Sequence, residues 1–177
     1  MPAADRIYNV LFLCTGNSAR SVLGEALLNS GRYPGFAGFS AGSQPKGAVH
    51  PMSLSVLEAA GISTAGLRSK AWDEFAVPGA PKLDFIFTVC DNAAGEACPV
   101  WPGMPATAHW GLEDPAAVEG PEFRQRAAFE TTLQFLRNRL DAFTNLPLES
   151  IDAMTLDAKL KGIGRMDGAT QKAKGTA

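Results

Sequence analysis

Asn9-Val10-Leu11-Phe12-Leu13-Cys14-Thr15-Gly16-Asn17-Ser18-Ala19-Arg20-Ser21 is the stretch from which the architecture is read. Val10 to Leu13 are apolar without alternation, the pattern of a strand buried on both faces. Ser21 then opens the run Val22-Leu23-Gly24-Glu25-Ala26-Leu27-Leu28, which has helical spacing. A strand, a short loop and a helix start in that order turn successive backbone N–H groups toward one spot, and the helix terminus adds about half a positive charge there. Cys14 stands at that spot. Such surroundings pull a thiol from ~8.5 to as low as ~3.5, so Cys14 is expected to be a thiolate near neutral pH. Arg20 follows after five intervening residues, and its planar fork suits two oxygens of a tetrahedral oxyanion. Thr15, Gly16, Asn17, Ser18, Ala19, Arg20 and Ser21 form the expected cradle. The plainer alternative is a small core thiol that ends a strand.

Working outward, Gly31, Pro34 and Gly35 stop the first helix, and Phe36 to Ala41 reads as a second strand. Strand, helix, strand at this length implies a parallel crossover. Pro51 heads a helix with Met52, Val56, Leu57 and Ala60 on one side, and His50 just before it reads as a surface-loop residue. A short helix is expected over Ala71 to Phe75. Leu83 to Cys90 reads as another buried strand ending on a cysteine, which puts Cys14 and Cys90 on the same sheet edge if both strands are parallel. Asp91 to Pro105 carries no periodicity and reads as a long loop holding Cys98. Ala106 to Trp110 is a last short strand. Asp114 precedes Pro115, either as a functional carboxyl or as a turn cap. Pro121 to Asp141 is a long helix with Phe123, Ala127, Phe129, Leu133, Leu136 and Leu140 on its apolar face. Ile151 to Ile163 suggests a short docking helix, and composition from Arg165 on predicts disorder. The organisation expected is a three-layer flavodoxin-like α/β domain with a small parallel sheet over residues 1–147, and a C-terminal extension over 148–177.

The chain has 177 residues, 46% apolar and 19% charged, with a net charge of −2. That balance offers no basis for nucleic-acid or membrane-surface binding. The absence of an apolar run near 18 residues and of a signal-like start predicts a soluble, cytoplasmic protein. Three cysteines favour thiol chemistry over a disulfide framework. The seven residues between Cys90 and Cys98, and only two histidines, argue against a zinc site, so no metal is expected.

Cys14 to Ser21 resembles the phosphate-binding loop of the low-molecular-weight protein tyrosine phosphatases and of the arsenate reductases that share their fold. Phe87-Thr88-Val89-Cys90-Asp91-Asn92 with Cys98-Pro99 is similar to the redox-cysteine segment of the thioredoxin-coupled reductases. His109-Trp110-Gly111-Leu112-Glu113-Asp114-Pro115-Ala116 is similar to their general-acid segment, and Ala116 and Ala117 stand where the phosphatases usually carry aromatic residues. The resemblance implies arsenate reduction. Cys14 would be the nucleophile, Arg20 the oxyanion clamp and Asp114 the acid, with Cys90 and Cys98 relaying a disulfide outward. Phosphate and sulfate would compete with arsenate. No tightly bound cofactor is implied, only an external reductant: thioredoxin, or glutathione with glutaredoxin. Some relatives hold potassium beside the loop through Asn, Ser and Asp. Asn17 and Ser40 match, but Lys70 stands in the Asp position, where its ammonium would replace the cation. Hydrolysis of phosphotyrosine or small phosphoesters is the alternative activity, and an oxyanion-binding domain without turnover is a third reading.

Overall fold

The computed structural model describes residues 6–95 and 101–175. Val10 to Leu13 are wholly buried, and the strand around them spans Tyr8–Cys14 (β1). Its alternation feeds two layers. Val10, Phe12 and Cys14 join one core, and Leu11 and Leu13 join the other. With β2 (Phe36–Gly42), β3 (Phe85–Thr88) and β4 (Ala106–His109) it makes a four-stranded, wholly parallel sheet in the order β2-β1-β3-β4. The fold is the small parallel-sheet α/β domain expected.

Helices α1 (Arg20–Leu28), α2 (Pro51–Ala59), α4 (Glu122–Thr144) and α5 (Ala153–Gly164) feed the larger core. α4 contributes Phe129, Leu133, Leu136, Leu140 and Phe143, all buried, each stabilising by about 1.5–3 kcal/mol. Phe123 is instead 69% exposed, because it lies in the helix's first turn, before the buried stripe begins. The opposite layer is thinner: Phe75 and Trp72, from a single 3-10 turn at Trp72–Phe75, cover Leu11, Leu13 and Ile86. Trp110 stacks on Phe87 at 3.7 Å between ring centres, and its indole N–H donates to the Leu160 carbonyl, docking α5.

Three local expectations change. The stretch after Cys90 begins with a short helix, α3 (Asp91–Gly95), too brief to show a period in sequence. β3 ends at Thr88, so Cys90 sits in the turn between strand and helix. The segment after Arg165 is not a loose tail. Arg139, wholly buried on α4, donates to the carbonyls of Met166 and Asp167. Ala169 bridges antiparallel to Leu112, and the Gly168 Cα lies close to the Phe135 ring.

Candidate active site

The register Leu13↔Thr88 and the bond from the Val89 N–H to the Leu13 carbonyl (2.8 Å) carry Cys14 and Cys90 off the sheet side by side. This is the carboxyl edge, where loops of a parallel sheet converge. Beyond Cys14 the chain turns through Asn17, in the left-handed region at φ 45°. Asn tolerates that conformation because its amide can bond locally. Here the Asn17 Nδ2 donates to Ser21 Oγ (2.9 Å), and its Oδ1 accepts from the Lys70 N–H (2.9 Å).

The loop's carbonyls are held from outside. Those of Cys14, Thr15, Gly16 and Ser18 accept from the N–H groups of Ser43, Gln44, Lys46 and His50. Ser69 and Ser53 hydroxyls add bonds to Gly16 and Ser18. A loop so engaged on its outside presents its N–H groups to the inside, where that of Gly16 favours a charged Cys14 sulfur. Gly42 makes this close approach possible, since a Cβ there would run into the Thr15 carbonyl.

The cavity enclosed is about 390 Å³ and includes Cys14, Arg20, Cys90, Asp114, Lys46 and Asn92 in its wall. Arg20 Nη1 donates to the Leu112 carbonyl (2.7 Å), Nη2 lies 3.8 Å from Asp114 Oδ2, and Nε is buried with no partner among the described residues. A guanidinium steered by two contacts with a donor left over is built for an anion. Asp114 is a turn cap, its Oδ1 accepting from the Ala116 N–H (2.9 Å), and its Oδ2 lies on the cavity side, nearest Arg20.

Cys14 and Cys90 are both buried thiols, and both sit in the wall of the cavity. The bond it gives to Cys90, then burial, hold the Cys14 thiol well above its ordinary range, against the pull of Arg20 and the Gly16 N–H. The same bond draws Cys90 down to about 5, against its burial, with help from Thr15 Oγ1 (3.5 Å), the Ala93 N–H (3.4 Å) and Arg20. The expectation of a resting thiolate on Cys14 is therefore corrected. One contact raises Cys14 and lowers Cys90, so the two thiols titrate as a pair. Cys98 lies outside the described residues.

Beside the cradle, Lys70 is buried, and its Nζ is 3.4 Å from Glu25 Oε1, 3.5 Å from Ser40 Oγ and 3.1 Å from the Arg68 carbonyl. Ser40 Oγ donates to Glu25 Oε1 (2.6 Å). Glu25 was not singled out from sequence, though a lone carboxylate inside an apolar helical run was the available signal. His50, read as a surface residue, caps α2 by accepting from the Met52 N–H and packs on Phe129. Among the described residues, no cluster of His, Cys, Asp and Glu could hold a metal ion, and no helix is long and apolar enough to cross a membrane.

Comparison with known proteins adds a lineage to this geometry. The family low molecular weight phosphotyrosine protein phosphatase matches residues 9–154. An arsenate reductase of Bacillus subtilis (strain 168) is 31% identical over 76% of this chain and 93% of its own. The solved structure of a thioredoxin-dependent arsenate reductase from Corynebacterium glutamicum is similar, with a TM-score of 0.54 and 25% identity, over 78% of this chain and 63% of that one. A low molecular weight protein tyrosine phosphatase from T. tengcongensis has the same fold, with a TM-score of 0.60 at 20% identity over 76% of this chain and 98% of its own.

Proposed function

The chain belongs to the low-molecular-weight phosphotyrosine protein phosphatase family, and within it we propose that it acts as an arsenate reductase. The observation that carries this reading is the second thiol: Cys90 lies against Cys14 inside the oxyanion cavity. Hydrolysis of a phosphoester needs one nucleophile, whereas reduction of arsenic by two electrons needs two sulfurs within reach. The similarity to arsenate reductases supports the same choice.

Arsenate enters the cradle, where the loop N–H groups and Arg20 Nε bind its oxygens. The dyad's charge moves to Cys14 as Cys90 takes the shared proton, and the Cys14 sulfur attacks arsenic. Asp114, as general acid, passes a proton to the departing oxygen, which leaves as water. The Asp114 carboxylate then takes the proton from Cys90, whose thiolate attacks the Cys14 sulfur. The sulfur–arsenic bond breaks, its electron pair stays on arsenic, and arsenite leaves behind a Cys14–Cys90 disulfide. Cys98 then attacks Cys90, which frees the Cys14 thiolate and forms Cys90–Cys98. External thiols reduce that bond, either the dithiol of thioredoxin or two glutathiones with glutaredoxin.

The test is arsenate-dependent NADPH oxidation with thioredoxin and its reductase, and in parallel with glutathione, glutaredoxin and glutathione reductase, for wild type, Cys90→Ser and Cys98→Ser. Wild type should turn over, and both variants should stop after at most one turnover. No arsenate turnover with any thiol donor, alongside rapid phosphoester hydrolysis, would replace this reading with the phosphatase one. Full thioredoxin-coupled activity in Cys98→Ser would remove the relay and keep the reaction.

A further inference from the structure

The C-terminal segment meets the turns that carry the cavity walls through Ala169, Thr170 and Lys172. Thr170 is buried. Its N–H donates to the Gly111 carbonyl (3.1 Å), next to the Leu112↔Ala169 bridge. Leu112 supplies the carbonyl that steers Arg20, and Asp114 follows two residues later. The Thr170 hydroxyl donates to Asp91 Oδ1 (2.7 Å), the same oxygen that accepts from His109 Nε2 (2.8 Å). Lys172 Nζ adds a bond to the Asp91 carbonyl (3.2 Å). Asp91 is the first residue of α3, and Ala93 of that same turn gives its N–H to the Cys90 sulfur. The segment itself is seated by Arg139, and the helix α5 just before it is docked by the Trp110 bond to the Leu160 carbonyl, so it is a fixed support.

We propose that Thr170 is a positioning residue for the second half of the reaction: its hydroxyl, acting through Asp91, fixes the turn that aims the Cys90 sulfur at Cys14. Its N–H ties the same point to the loop of Leu112 and Asp114, so one residue keeps the attacking thiol in register with Arg20. This rests on the arsenate-reductase reading for its kinetic consequence. The groups facing Asp91 are His109 from β4 with Thr170 and Lys172 from the C-terminal segment, and those facing Cys90 are Cys14 and Arg20.

Thr170→Val keeps the shape and the backbone bond and removes the hydroxyl. Its kcat for arsenate should fall about 10-fold, the scale of one hydrogen bond to a charged group. KM for arsenate and inhibition by phosphate should stay within about twofold, because the cradle is untouched. Thr170→Ser should restore kcat. Independently of any arsenate chemistry, iodoacetamide labelling of Cys90 against pH, read peptide by peptide by mass spectrometry, should shift its midpoint upward by about one pH unit in Thr170→Val as the Ala93 donor loosens. An unchanged labelling midpoint, or a serine variant as slow as the valine one, would overturn the proposal. If wild type turns over no arsenate, the proposed function falls, and the labelling arm still decides the role of Thr170.

Discussion

Lys70 is the residue where a single change should cost the most for the least volume. Its ammonium and the Glu25 carboxylate are 3.4 Å apart with side chains only 7% and 13% exposed, so solvent screens them little. At that separation and an effective dielectric of about 20, their attraction is about 5 kcal/mol. Lys70→Met fills much of the same space and leaves Glu25, among the described residues, with one side-chain hydrogen bond, from the Ser40 hydroxyl 2.6 Å away. Removal of one partner from a buried pair costs about 3–5 kcal/mol. Ser40 keeps one hydrogen bond to Glu25, so the low end applies, about 3 kcal/mol. For a chain of this length that lowers Tm by about 6–12 °C, read by calorimetry or circular dichroism. The smaller side chain of Lys70→Ala opens room between Glu25, Ser40 and Asn17. Potassium chloride should recover part of the loss in the alanine variant, choline chloride should not, and neither should help the methionine variant. A Tm within about 2 °C of wild type for both variants would refute the pairing argument. Equal recovery by choline would refute the view of Lys70 as a fixed cation.

Asp114→Asn should keep the cap on Ala116, since the amide oxygen still accepts, and lose the transferable proton; turnover should fall by about 100-fold with no comparable loss of stability. The cysteine dyad makes a pH prediction. Cys90 is lowered to about 5, so the stability it contributes is complete above the ordinary thiol range and drains away as pH falls toward 5. Cys14 is raised, so its contribution holds below the ordinary thiol value of 9.0 and is lost above it. Urea midpoints should therefore climb between about pH 5 and 9 in wild type relative to Cys90→Ser, with one thiolate appearing near 5 by absorbance at 240 nm; parallel curves for the two proteins would show that the proton is not shared. Gly42→Ala should push the Thr15 carbonyl out of place and weaken phosphate binding measured by calorimetry, and unchanged binding would show that the cradle has slack.

How much of this was readable in advance depends on where each signal lives. β1 and α1 were legible because their cues are local: an unbroken apolar run, then helical spacing. The meeting of Cys14 and Cys90 followed from parallel topology alone. α3 was hidden because five residues hold barely more than one turn. The Glu25–Lys70 pair spans 45 positions, and no periodicity reports a contact of that range. The charge state of Cys14 was misjudged because the helix-terminus argument counted amides and Arg20 and left out the neighbouring thiol. The last segment looked disordered because its anchor, Arg139, is an arginine on a helix, a residue that composition assigns to solvent.

The position after β3 is brought to the nucleophile by strand pairing, whatever residue occupies it. A cysteine there places a second thiol beside Cys14 without any special backbone of its own. On the proposed mechanism, hydrolysis and reduction then differ on one scaffold by this thiol and by Cys98, eight residues further along the chain.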